Sequence, residues 1–173
     1  KAQNDWKTAR EYASLSWEKG LKDLELFDLL SPEHPENPES GPRDRGDSLS
    51  MLREIARANA FKTPEERQAT SSRGLEHLRL LAAQDNDFPE LRADIYHYFG
   101  QTQDAIPLWQ QAWNREPNPE LVYKTARALV GSEKAPEARD LLHSFRSKKM
   151  LNQQSYSLLA FLYGSEDRFA EVA

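Results

Sequence analysis

The chain has 173 residues, a formal net charge of −5, four histidines and no cysteine. Its length suffices for one domain of average size with a core that needs no staples, and without cysteine neither disulfides nor thiolate chemistry is open to it. Acidic and basic residues mix along most of the chain, which excludes a nucleic-acid binder needing a basic stripe to displace counterions from phosphates.

No apolar run approaches the roughly 18 residues that cross a bilayer. The absence of cysteine suits an oxidising compartment such as the periplasm. The first residue is Lys1, and the last segment, from Asp167 to Ala173, reads as an unfinished helix. Both features predict a piece of a longer protein.

Residues 3 to 30 place Trp6, Ala9, Ala13, Trp17, Leu21, Leu24 and Leu29 on one stripe at nearly the helical period. The stripe predicts a single long N-terminal helix over 1–31, stopped at Ser31-Pro32. Residues 32–47 are rich in proline, glycine and charge and carry no large apolar side chain, so they read as a loop or linker. Arg45-Gly46-Asp47 is an RGD tripeptide at the end of that stretch, in the setting that integrin ligands use. The loop is rich in all three residue types and Asp47 suits a helix cap, which accounts for the tripeptide without adhesion.

Helical signals resume at Asp47-Ser48, with Leu49, Leu52, Ile55 and Ala56 on one face. Thr63-Pro64-Glu65-Glu66 predicts a capping box with proline at the first helical position, opening a helix to about Gln84 whose inward side chains are Leu75, Leu78, Leu81 and Ala82. Asp87-Phe88-Pro89-Glu90 and Asn118-Pro119-Glu120 repeat the device, and Gly100 and Gly131 fall where helices should end. Almost nothing alternates with period two. The expected class is all-α.

The last 90 or so residues recur at a period near 34, that of the helix–turn–helix unit of tetratricopeptide repeats. One copy, 86–118, carries Ala93, Tyr96, Gly100, Ala105, Trp109, Ala112 and then Pro117. A second, 119–152, has Ala126, Leu129, Ala138, Leu142 and Phe145, and a truncated third, 153–173, has Tyr156, Leu159, Ala160 and Tyr163. Residues 48–85 form a degenerate copy that matches in length and amphipathicity alone. On these residues the chain resembles the tetratricopeptide repeat family, which implies an α/α superhelix preceded by an extra N-terminal helix. Arg92 and Phe145 depart from the family pattern, standing where an aliphatic residue and an alanine are usual.

No catalytic or metal-binding signature accompanies the repeats. His34, His77, His97 and His143 lack the spacing of a helical zinc site. There is no dinucleotide or phosphate loop and no nucleophile elbow, and Ser71 and Ser72 sit within a predicted helix without a base. Acidic pairs such as Glu65-Glu66 belong at helix starts. The sequence therefore reads as a non-enzyme with no cofactor and no metal.

In the family that the repeats resemble, the first helix of each pair lines a concave surface. The resemblance implies that Glu90, Asp94, His97 and Tyr98 face it in the first copy. Glu120, Tyr123 and Arg127 do so in the second, and Gln154, Ser157 and Phe161 in the third. Such a mixed polar and aromatic surface suits an extended peptide or a partner domain. Asp94, His97, Tyr98, Tyr123, Arg127 and Phe161 are the expected partner-binding residues. The lysine and asparagine with which chaperone-binding members clamp a carboxylate are missing from these positions.

The irregular repeats, acidic balance and lack of cysteine also resemble the periplasmic tetratricopeptide region of Gram-negative exopolysaccharide-export proteins. There the repeats precede an outer-membrane barrel and recruit a polysaccharide-modifying enzyme, which implies a periplasmic protein scaffold for this chain. Alternatives are a cytoplasmic chaperone of secretion substrates and the helical non-catalytic domain of a peptidoglycan-cleaving enzyme.

Overall fold

A computed structural model describes residues 2–30, 45–59, 61–84 and 87–164. The expected loop at 32–47, up to residue 44, lies outside the described residues, as do His34, the segment after Gly164 and the side chains of Trp6 and Leu29. Among the described residues the chain is helical throughout and has no strand: α1 (Ala2–Glu18), α2 (Leu24–Leu30), α3 (Arg45–Asn59), α4 (Pro64–Gln84), α5 (Pro89–Tyr98), α6 (Thr102–Arg115), α7 (Pro119–Gly131), α8 (Ala135–Ser147) and α9 (Gln153–Gly164). No helix among them is long and apolar enough to cross a membrane. The helices form two compact units, Lys1–Gly100 and Gln101–Ala173.

The single N-terminal helix expected over 1–31 is instead two. Gly20 takes φ +94, and its N–H and that of Leu21 donate back to Trp17 O and Ser16 O at 3.0 and 3.1 Å. These are the paired bonds of a left-handed helix stop, a conformation glycine adopts without Cβ strain. The predicted stripe is cut there: Leu21 is exposed, while Leu24 and Phe27 are buried. Lys22 holds the break, its ammonium 4.0 Å from the centre of the Trp17 ring and 3.0 Å from the Glu54 carboxylate of α3. The RGD tripeptide is also placed differently from the sequence expectation. Arg45 to Asp47 form the first turn of α3 rather than a loop.

In the first unit α3 packs on α2, α4 and α5, and its predicted stripe of Leu49, Leu52, Ile55 and Ala56 is fully buried. The capping box of α4 forms as expected. Glu66 N–H donates to Thr63 Oγ1 at 3.4 Å, and Thr63 N–H donates to Glu66 Oε2 at 3.1 Å. Inside α4, Gly74 is buried against the Phe99 ring, into which a Cβ at this position would project. Ser71 accepts a hydrogen bond from Asn59 Nδ2 at 3.1 Å, so its role is to tie α3 to α4. The start of α5 departs from the expected side-chain cap: its N-cap residue is Phe88, at φ 57, with no side-chain capping bond.

The second unit is organised around α7, which packs on α6, α8 and α9, while α8 also touches α9. Trp109, Leu121, Val122, Ala126, Ala138, Leu142 and Leu159 make its core. Phe145, at a position where the family pattern has alanine, is buried with its ring edge-on to Trp113 at 5.0 Å. Glu116 is extended before Pro117, which ends α6 as expected. Helix α7 ends at Gly131, as expected, and the chain reverses where Glu133 adopts φ 62. Lys134 N–H then donates to Leu129 O at 2.9 Å and Glu133 N–H to Val130 O at 3.1 Å. The same pair of bonds closes α8 around Lys149 at φ 57.

Two substitutions test these backbone constraints. Gly74→Ala improves helix propensity but drives a methyl into Phe99, and overpacking of this kind costs about 1–3 kcal/mol, so urea denaturation should show a net loss of stability. Glu133→Gly relieves a left-handed non-glycine residue, a strain of about 1 kcal/mol, and should raise the melting temperature of the chain.

Candidate functional site

The sequence-predicted binding residues fall into both units, and each unit treats them differently. In the first unit, α5 lies against α3 and α4. Asp94 is only 5% exposed, because the side of α5 that carries Ala93, Asp94 and Ile95 turns inward, with the Arg53 guanidinium 3.8 Å from its carboxylate. This corrects the expectation for Asp94. It is a buried ion-pair partner tying α5 to α3, not a groove residue. Tyr98 is half-buried against the unit's core, and His97 is exposed with its ring 5.7 Å from that of Tyr98. His97 and Tyr98 thus remain partly accessible, as a small edge of α5.

In the second unit α7 and α9 lie side by side. Asn152 fixes their N-terminal ends. Its Oδ1 accepts the Ser155 N–H at 2.8 Å, capping α9, while its Nδ2 donates to Glu120 Oε2 of α7 at 3.2 Å. Asn118, earlier in the chain, likewise caps α7 by accepting the Glu120 N–H at 2.9 Å. Both asparagines are visible in the sequence, but only the bond to Glu120 reveals the second role of Asn152.

From these anchored ends the outer faces of the two helices diverge in character. On α7, Tyr123 is half-buried and Arg127 exposed. On α9, Gln154 and Ser157 are exposed and Phe161 is 64% exposed. Helix α9 carries no charged residue along its whole length. Helix α9 thus presents an open aromatic ring and the neighbouring α7 an exposed arginine, residue types enriched at the centres of protein interfaces.

The remaining histidines have packing roles. His77 Nε2 lies 3.0 Å from Asp28 Oδ1 and its ring meets Phe27 edge-on at 5.1 Å, while Arg73 takes the other Asp28 oxygen at 3.2 Å. His143 lies edge-on to Tyr163 at 5.4 Å. Among the described residues no group of three or more histidine and acidic side chains is gathered as a metal site. Comparison with protein-family models, curated proteins and solved structures finds no match for this chain.

The double role of Asn152 gives a graded test. Asn152→Ala removes both the cap and the bridge and should destabilise the chain by about 1–2 kcal/mol. Asn152→Ser keeps a capping oxygen but cannot span to Glu120, and should recover most of that loss in chemical denaturation.

Proposed function

We propose that this chain is a non-catalytic scaffold of tetratricopeptide type, an α/α superhelix that docks a partner protein on the face formed by the first helices of its repeats. The observation that supports the reading most directly is the α7–α9 pair. Two helices one period apart are locked side by side by Asn152, bury their inner faces, and leave Tyr123, Arg127 and Phe161 toward the outside. Large rings and an arginine at such positions cost stability nothing when solvated and supply binding energy when covered. Asp94 drops out of the binding set. His97 and Tyr98 stay in it as accessible residues of α5.

The lack of cysteine and the acidic balance support a periplasmic setting, as the repeat region of an exopolysaccharide-export protein whose partner is a polysaccharide-modifying enzyme. The scaffold would then bring the enzyme to its polymer while contributing no chemistry of its own.

The test introduces a photo-crosslinking amino acid at Phe161 in native cells, with Glu137 on the outer face of α8 as the control position, and identifies the protein captured only from Phe161. For that protein, Tyr123→Ala combined with Arg127→Ala should weaken binding at least tenfold, equivalent to about 1.4 kcal/mol, with the circular dichroism of the chain unchanged. Undiminished affinity would reject this face as the docking site. A captured protein other than a polysaccharide-modifying enzyme would reject the export assignment while leaving the scaffold.

A further inference from the structure

A separate feature of the first unit is a cleft of about 290 Å³ between the start of α2 and the body of α4. Asp23 and Glu25 line it from the α2 side, Lys62 from the turn before α4, and Thr70 and Arg73 from α4 itself, with Leu24 contributing apolar surface. Its volume is at the lower edge of small-molecule sites, about 300 Å³. It suits a ligand of amino-acid size.

Asp23 has a partner of its own. Arg73 is tied to Asp28 at 3.2 Å and serves as a wall. Lys62, half-buried, and Glu25, exposed, have no ion-pair partner among the described residues, although both line the same small space. They come from different elements, so the fold brings an ammonium and a carboxylate to one cleft without letting them neutralise each other. A ligand of a single charge would satisfy one and leave the other facing a like charge or bare solvent. A ligand carrying both signs satisfies the two at once, and hydrogen bonds between ionised groups are roughly twice as strong as neutral ones.

We propose that this cleft binds a free α-amino acid with an apolar side chain. The ligand carboxylate meets Lys62, its ammonium meets Glu25, and its side chain lies toward Leu24. Thr70 lines the same cleft, and its hydroxyl can accept or donate one further bond. The inference does not depend on the docking face, whose test residues all lie in the second unit.

The experiment is a titration of the full chain with L-leucine, read by amide chemical shifts, alongside L-leucinamide and N-acetyl-L-leucine. The expected result is saturable binding of leucine with shifts at Glu25, Lys62 and Thr70, and binding at least tenfold weaker for the two blocked forms. Lys62→Met and Glu25→Gln should each weaken leucine at least tenfold, with the thermal transition unmoved, since neither side chain belongs to the core. Absence of saturable shifts at millimolar leucine would overturn the proposal. So would equal binding of the blocked forms, or undiminished binding by Lys62→Met with its fold intact.

Discussion

Mutual burial of short helices is the constraint on which this molecule rests. The helices run from 7 residues in α2 to 21 in α4, and isolated helices below about 12–15 residues are marginal in water. Helix α5, of 10 residues, carries an exposed aromatic N-cap residue and no side-chain capping bond, so it persists because Ala93, Asp94 and Ile95 are enclosed by its neighbours. Packing of this kind needs sharp reversals between helices. The left-handed stops at Gly20, Glu133 and Lys149 provide them.

Polar contacts refine what apolar burial begins. Asp28 receives both Arg73 and His77, which fastens the short α2 to α4. Asn59, almost fully buried, bonds from the end of α3 to both Arg67 O and Ser71 Oγ of α4. Partly exposed ion pairs contribute little on their own, typically below about 1 kcal/mol. Their value here is in geometry, since each crosses between helices that apolar contacts alone would allow to slide. Asn152 does the same for α7 and α9, and thereby determines how the side chains on their outer faces line up.

That division of labour bears on function. The proposed scaffold role needs a rigid inner layer so that side chains on the outer layer can be presented at low entropic cost. Helix α7, enclosed by α6, α8 and α9, is suited to that role, and even its Thr125 is buried, donating to Leu121 O at 2.8 Å. Helix α9 has fewer neighbours and keeps Tyr156 at 47% exposure and Phe161 at 64%. Among the described residues the open aromatic side chains of the second unit therefore lie on a helix less enclosed than α7.

Several features were legible in the residues because they are local. Helix start signals such as Thr63-Pro64-Glu65-Glu66 and Asn118-Pro119-Glu120 act over one turn, and both form as read. The all-α class follows from periodicity, which each helix carries within itself. Asp94, Phe88, Glu133 and Gly74 were misread or unremarked because their surroundings come from elsewhere in the chain. Periodicity specifies the centre of a helix's buried arc, whereas the width of that arc depends on how many helices surround it. That number is set by tertiary packing, which turned Asp94 inward against Arg53, pressed Phe99 onto Gly74 and left Phe161 in solvent.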